Sequence, residues 1–262
     1  MKIVLNLIRL LLCFCLILLQ ACQQKIALNT EHAIQAEKKK EAASFNTELG
    51  LTYLKQGDRP RAKRKLLTAL DLAPDSAEVN VAMAYYLEKT GDIKKAHNFY
   101  LKALSLAPDS GAQLNNYGTF LCRQGQYKDA EGYFLKALKD IHYVHTAKAY
   151  ENAGLCAAAI PDYTKARKYF VKALEQDPHQ KQSLYELVVI EIKQNNANQA
   201  LTYLQKYPEL TMNDSTLLGL AARAAQRTGK VEVEAAYKKR LSRLHHFTDH
   251  TGAKNEYDSN NG

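Results

Sequence analysis

Small and bulky apolar residues recur along the chain at intervals of 34 residues, with polar residues between them. Two series of alanine have this spacing: Ala62, Ala96 and Ala130, and then Ala69, Ala103 and Ala137. A series of bulky residues accompanies them: Leu66, Tyr100 and Phe134. After a two-residue insertion the three series resume at Ala166, Ala173 and Phe170. The pattern predicts a chain of repeated structural units of one length.

Glycine and proline divide each unit into two predicted helices. Three glycines share the 34-residue spacing and fall at the predicted turn, where a positive φ costs glycine least: Gly57, Gly91 and Gly125. Prolines mark the boundaries between units, because proline lacks the donor that a continuing helix needs: Pro74, Pro108 and Pro178. Twelve Gly and six Pro among 262 residues favour helices with few breakers over a turn-rich sheet protein.

This order of small and bulky residues resembles the tetratricopeptide repeat. The first unit matches the family pattern with Leu49-Gly50, Tyr53, Ala62, Leu66, Ala69 and Pro74. The resemblance implies an all-α fold, a right-handed superhelical solenoid of about six helix-turn-helix repeats. A small residue at the eighth position would let the two helices of a repeat approach closely: Gly50, Ala84, Gly118 and Gly154.

The first 22 residues have the pattern of a secretory leader. Lys2 and Arg9 give a positive start, and residues 10–19 form an apolar run that is short for a membrane span. The following Leu19-Gln20-Ala21-Cys22 resembles the bacterial lipobox, whose cysteine carries diacylglycerol and becomes the new N-terminus. The resemblance implies a lipoprotein, acylated for example with palmitate at Cys22. The alternatives are an ordinary cleaved leader and an uncleaved N-terminal anchor.

The residue after the lipobox cysteine predicts the destination. In proteins that resemble enterobacterial lipoproteins, an Asp at this position retains the protein at the inner membrane. This chain has Gln23 there instead. We therefore expect a protein anchored by lipid to the periplasmic face of the outer membrane, since each buried methylene contributes about 0.8 kcal/mol. The net charge of +9 fits an anionic partner or a membrane surface, but it also fits solubility alone.

These patterns predict four segments. Residues 1–21 are the signal peptide, and residues 22–42 are the lipidated N-terminus and a tether that ends in a helical lead-in. Residues 43–245 are the solenoid, and residues 246–262 are a polar tail without regular structure. Within the solenoid we expect repeats at about 43–76, 77–110, 111–146, 147–180 and 181–211, with a degenerate sixth at about 212–245.

Two cysteines remain after the leader and the lipobox are accounted for. Cys122 and Cys156 would lie on the first helices of neighbouring repeats, and two thiols in an oxidising periplasm are candidates for a disulfide. The alternative is a pair of small buried apolar side chains.

No arrangement of residues predicts a catalytic or metal site. His142 and His145 are three residues apart, but no Cys or carboxylate joins them at zinc-ligand spacing. The chain has no phosphate-binding glycine loop, GxSxG or HExxH motif, and no interleaving of basic and aromatic residues typical of nucleic-acid modules. We therefore expect a protein that is not an enzyme, with no cofactor, metal, nucleic-acid ligand or small-molecule substrate.

The repeat register also predicts a partner-binding groove. In tetratricopeptide solenoids the first helices line the concave face. In the first three repeats these outward positions include Thr47, Leu51, Leu54, Val81, Tyr85, Asn115 and Thr119, with Glu88 and Arg123 as isolated charges. The set is largely apolar, which favours a groove that takes hydrophobic side chains of a partner. If the register were shifted by one, some of these residues would belong to the core instead.

The third repeat carries a more specific resemblance. Residues 115–122 read Asn-Asn-Tyr-Gly-Thr-Phe-Leu-Cys, similar to the Asn-Asn-Tyr-Gly-x-Phe-Leu-Cys stretch of the PilF/PilW family of type IV pilus biogenesis lipoproteins. The resemblance implies a pilotin, which helps the secretin subunit to reach the outer membrane and form its ring, with the first repeats' groove contacting the secretin. Such a protein is expected to be a monomer. The alternative is a general periplasmic adaptor lipoprotein that organises envelope enzymes or outer-membrane protein assembly.

Overall fold

A computed structural model describes residue 31 and residues 33–257, with side chains as far as Leu244. The predicted leader, Cys22 and most of the predicted tether lie outside the described residues. Every regular element in the described part of the chain is a helix, which confirms the predicted all-α fold. The helices are α1 (33–55), α2 (Arg59–Leu72), α3 (Ala77–Thr90), α4 (Ile93–Leu106), α5 (Gly111–Arg123), α6 (Tyr127–Ala137), α7 (Thr146–Ala159), α8 (Tyr163–Gln176), α9 (Lys181–Lys193), α10 (Ala197–Lys206), α11 (Pro208–Thr211), α12 (Ser215–Arg227) and α13 (Val231–Tyr257).

The chain forms two compact units, residues 1–107 and 108–262. The first unit holds two helix pairs, α1 with α2 and α3 with α4. The second unit holds four pairs, which are α5–α6, α7–α8, α9–α10 and α12–α13, with the short helix α11 between the last two. Each pair is one helix-turn-helix repeat.

The turns inside the repeats follow the glycine pattern of the sequence. Gly57, Gly91 and Gly125 have φ values of 82°, 92° and 78°, which confirms the predicted left-handed turns. Asn195 adopts a φ of 60° at the corresponding turn of the fifth repeat, as asparagine tolerates this region better than most residues. An aspartate then begins several second helices; the Asp58 carboxylate, for example, accepts a hydrogen bond from the Arg61 N–H at 3.0 Å.

In the first four repeats, the core includes a bulky side chain that packs against a small residue of the facing helix. Phe134 and Phe170 are completely buried, and each ring lies over the glycine at the eighth position of its repeat. A Cβ atom placed on Gly118 would lie 2.9 Å from the Phe134 ring, and one on Gly154 would lie 2.6 Å from the Phe170 ring. The two helices of these repeats therefore approach as closely as the absence of a Cβ atom allows.

Two buried carboxylates link neighbouring repeats of the second unit. Glu151 on α7 is 1% exposed and accepts hydrogen bonds from Lys148 and, across to α9, from the Ser183 hydroxyl at 2.9 Å. Glu191 on α9 is equally buried, and Arg167 of α8 pairs with it. Because a buried charge must be paired and hydrogen-bonded, these contacts fix how the fourth and fifth repeats stack.

The last helix extends further than the sequence pattern indicates. Its backbone continues to Tyr257, into the segment 246–262 that was expected to have no regular structure. Gly252 is the sole Gly or Pro between residues 231 and 257, so little in the local sequence interrupts the helix. At the other end, helical backbone over residues 33–42 precedes the first repeat, as the predicted helical lead-in requires.

Two glycine-to-alanine substitutions test the close approach. Gly154→Ala is expected to lower the free energy of unfolding by about 1–3 kcal/mol, because the new methyl group overlaps the Phe170 ring. Gly132→Ala on the exposed side of α6 meets no atom within 4 Å, so it should raise the stability by about 0.5–1 kcal/mol through helix propensity. Urea unfolding followed by circular dichroism measures both; equal effects of the two substitutions would contradict the account.

Candidate partner-binding surface

The predicted groove residues of the first unit combine core packing with exposure. Leu51 and Leu54 of α1 are half-buried and pack against a core cluster that includes Ala62 and Leu66 of α2. Val81 and Tyr85 of α3 are also half-buried. We call these four residues, Leu51, Leu54, Val81 and Tyr85, the first-helix face. The surface is apolar, and the packing of Leu51 and Leu54 on the core makes its α1 side preorganised.

A lysine lies at one side of this face. The Lys89 ammonium lies 5.3 Å from the centre of the Tyr85 ring, a cation–π distance. The contact restrains the ring while part of it stays accessible to a partner. A ring held in this way loses less conformational entropy on binding than a free one.

Thr47 offers little surface to a partner. Its side chain is 8% exposed, and its hydroxyl donates a hydrogen bond to the Ala43 carbonyl one turn earlier, at 2.8 Å. The polar group of this predicted groove residue is therefore satisfied within α1. Thr47 is thus part of the buried packing of α1 and not of the surface that a partner can reach.

Asn115 and Thr119 of the second unit are joined to the next repeat. Asn115 is 6% exposed, and its side-chain oxygen accepts a hydrogen bond from the Asn152 amide of α7 at 3.0 Å. The same amide lies 3.2 Å from the Thr119 hydroxyl oxygen. Two of the predicted groove residues thus share one partner, and Asn115 is withdrawn from solvent by this contact.

Asn152 is not one of the predicted groove residues, although its position in the repeat register could have identified it. Asn116 and Asn152 occupy equivalent positions in the third and fourth repeats, two residues before Gly118 and Gly154 respectively. A polar residue kept at one register of consecutive first helices indicates a contact between repeats rather than a solvated surface. The hydrogen bonds from Asn152 to α5 fix the spacing of helices α5 and α7.

The two remaining cysteines are joined in the structure. Their sulfur atoms lie 2.28 Å apart as a disulfide, and their Cα atoms are separated by 5.7 Å. The bridge connects α5 to α7, so it crosses between the third and fourth repeats beside the hydrogen bonds of Asn152. A covalent link and two hydrogen bonds therefore hold these first helices in one register.

The side chains described by the structure include no group of three or more His, Cys, Asp or Glu that could hold a metal ion. One group of interacting titratable side chains lies between α6 and α8. Burial raises the pKa of Tyr169, whose hydroxyl donates to Glu131 at 2.6 Å. Burial alone would raise the pKa of Glu131, but hydrogen bonds from Tyr169 and Lys165 bring it below its ordinary value. The cluster joins neighbouring repeats as a structural ion pair.

Among the described helices, none combines the length and the apolar character that crossing a bilayer requires.

Comparison with known families agrees with this architecture. Three family models, each described as a tetratricopeptide repeat, match residues 47–111, 111–179 and 162–224. Together they cover more than half of the 262 residues. The chain belongs to the tetratricopeptide repeat family, whose members are typically protein-interaction adaptors rather than enzymes.

Two similar solved structures are of type IV pilus proteins. PilF of Pseudomonas aeruginosa is 29% identical, with a TM-score of 0.64, over 79% of this chain and 93% of that one. PilW, described as a widely conserved type IV pilus biogenesis factor, is 26% identical, with a TM-score of 0.62, over 76% of this chain and 91% of that one. The Cut9–Hcn1 assembly, at 17% identity and a TM-score of 0.55, shares the fold alone. No curated protein sequence matches the chain.

The disulfide generates a prediction about stability. Reduction with dithiothreitol is expected to lower the free energy of unfolding by about 2–4 kcal/mol, because a loop of 34 residues is no longer closed in the unfolded chain. Urea unfolding with and without reductant measures the change. The doubly substituted Cys122→Ala/Cys156→Ala chain is the control, and its stability should not respond to reductant. Two free thiols after reduction with no loss of stability would contradict the prediction.

Proposed function

We propose that the protein is a pilotin, an outer-membrane lipoprotein that binds the type IV pilus secretin subunit and promotes its localisation and multimerisation. The observation that carries this proposal is the similarity to PilF and PilW across most of the length of both. The apolar first-helix face, preorganised on its α1 side, supplies a surface suited to such a partner. The lipobox resemblance at Cys22 supplies the means of reaching the membrane.

The first-helix face is suited to an apolar side chain of an extended or helical segment. Leu51 and Leu54 belong to one helix and are three residues apart, so they present adjacent side chains on one side of α1. Val81 and Tyr85 are four residues apart and do the same on α3. A secretin segment laid along these helices would bury apolar surface against side chains that are already held by the core on the α1 side.

The lipid anchor and the face have separate roles in this proposal. Acyl chains on Cys22 confine the protein to the inner leaflet of the outer membrane. A secretin subunit bound by the first-helix face is then held near the same leaflet. Its effective local concentration rises, which favours assembly of the ring.

Leu54→Glu tests the face. The substitution places a charge in the apolar contact, so the dissociation constant for the periplasmic part of the secretin is expected to rise at least tenfold by isothermal titration calorimetry. Leu101→Glu, on the second helix α4 of the same unit, is the matched control, since Leu101 is 44% exposed and outside the face. Its affinity should equal that of the unsubstituted chain.

A second substitution separates binding from stability, because Leu54 also packs on the core. Tyr85→Ser removes an accessible ring without introducing a charge and should weaken binding in the same direction, with circular dichroism confirming a folded chain. If both folded variants bind the secretin with unchanged affinity, the secretin contacts another surface of the protein.

Cys22→Ala tests the anchor. The variant is expected to lose its acyl chains and to leave the outer-membrane fraction, while its purified form binds the secretin with unchanged affinity. Cys13→Ala, in the predicted leader, is the matched control and should fractionate normally. Normal outer-membrane fractionation of the Cys22→Ala variant would refute the lipid assignment. Recovery of envelope hydrolases or assembly factors with the native protein, and no secretin, would favour the general adaptor.

A further inference from the structure

Helix α2 carries an excess of cations that its own fold does not use. Five of its first seven residues are basic: Arg59, Arg61, Lys63, Arg64 and Lys65. Arg61 pairs with the Asp58 carboxylate at 3.2 Å. Among the residues that the structure describes, no carboxylate forms an ion pair with the other four. Arg59, Lys63 and Arg64 are exposed, and Lys65 is half-buried.

The position of these cations within the helix is unfavourable for folding only in the first turn. The N-terminal end of a helix carries a partial positive charge, so acidic side chains stabilise the first turn and basic ones destabilise it. Arg59 and Arg61 lie in the first turn of α2, where the N-cap carboxylate of Asp58 offsets their charge in part. Lys63 and Arg64 follow on the next turn, beyond the reach of this effect, and the part of the fold that the structure describes gives them no acidic partner.

An exposed leucine accompanies the cations. Leu67 is 43% exposed and lies one turn after Lys63 and Arg64 on the outer side of α2. The opposite side of the helix packs into the first unit through Ala62, Leu66 and Ala69. The outer side of α2 thus presents basic groups around one accessible leucine, and anionic lipid surfaces attract such basic groups.

We propose that the outer side of α2, formed by Arg59, Lys63, Arg64 and Leu67, docks on a membrane surface that contains anionic lipids. Successive helical residues are rotated by about 100°, so these cations spread around the helix and do not converge on one point. A site for a single phosphate needs converging donors, whereas a broad anionic surface accepts spread charges.

The chain between the predicted lipid and α1 is long enough for this docking. Eight residues separate Cys22 from residue 31, where the described helical backbone starts, and fully extended they reach about 28 Å. Helix α1 spans 33–55, a length of about 35 Å at 1.5 Å per residue, and α2 begins at its far end. The proposed docking of α2 depends on the proposed lipid anchor in one respect, which is that the anchor brings α2 near the membrane surface. The acyl chains on Cys22 would supply the attachment itself, so the basic side of α2 would determine which surface of the first unit faces the membrane.

The test uses the lipidated chain with one reporter thiol. Thr68→Cys, exposed beside Arg64 and Leu67, is labelled with an environment-sensitive fluorophore, and Gln226→Cys on α12 is labelled as the control position. The protein is added to vesicles of phosphatidylethanolamine and phosphatidylglycerol at 3:1, or of phosphatidylcholine alone. With the anionic vesicles, the label at residue 68 should become protected from iodide and quenched by spin-labelled lipid, and 0.5 M salt should reverse this. The label at residue 226 should stay accessible throughout.

A charge-matched pair of variants assigns the effect to α2. Arg59→Gln/Lys63→Gln/Arg64→Gln should shift the equilibrium between docked and undocked protein by on the order of 100-fold, since each basic residue near an anionic surface contributes about a factor of five. Lys128→Gln/Lys168→Gln/Lys193→Gln removes the same charge from exposed positions in the second unit and should leave the protection unchanged.

Three outcomes would overturn the docking. The label at residue 68 could be equally accessible on anionic and neutral vesicles, or the two triple variants could lose protection equally. Alternatively, duplex DNA could displace the anionic vesicles from the label, which would assign the patch to nucleic acid. Sedimentation of the protein with vesicles reports the lipid anchor, and secretin titration reports the first-helix face. Failure of the docking is therefore distinguishable from failure of the proposed function.

Discussion

The close approach of the two helices within each of the first four repeats is the constraint on which the rest of this structure depends. A residue without a bulky side chain at the eighth position lets a buried Leu, Tyr or Phe from the second helix reach across the pair. Once the pair is closed, the remaining apolar surface of each repeat must be covered by its neighbour. The first helices are thereby set side by side, which produces the first-helix face of α1 and α3.

Between the third, fourth and fifth repeats, polar and covalent contacts supplement this packing. The Cys122–Cys156 disulfide and the Asn152 amide join α5 to α7, and the buried carboxylates of Glu151 and Glu191 hold the next junction. Such contacts require a specific geometry, because a buried polar group without its partner lowers the free energy of unfolding more than a small shift of an apolar contact does. The second unit therefore has a defined stacking register, and the first unit relies on apolar packing around Ala62, Leu66 and Met83.

The repeat pattern predicted the fold well because it arises from short-range physics. Small and bulky residues 34 positions apart identify the helix pairs, and Gly57, Gly91 and Gly125 adopt the positive φ that their turns require. The surface was less predictable. Thr47 and Asn115 have groove positions in the register, yet they are buried because their polar groups bond to Ala43 and Asn152. Such bonds depend on the stacking of repeats, which periodicity alone does not specify. The helical backbone after residue 245 lacks the repeat pattern and was missed for that reason.

The proposed pilotin activity combines a membrane anchor with a protein-binding face, and its central claim concerns the secretin ring. The most direct measurement is the amount of secretin multimer in outer membranes from cells that lack this protein, compared with cells in which it is restored. The account predicts that the multimers are lost, that secretin monomers accumulate elsewhere in the envelope, and that restoration reverses both changes. A normal amount of secretin multimer in the outer membrane without the protein would contradict the account.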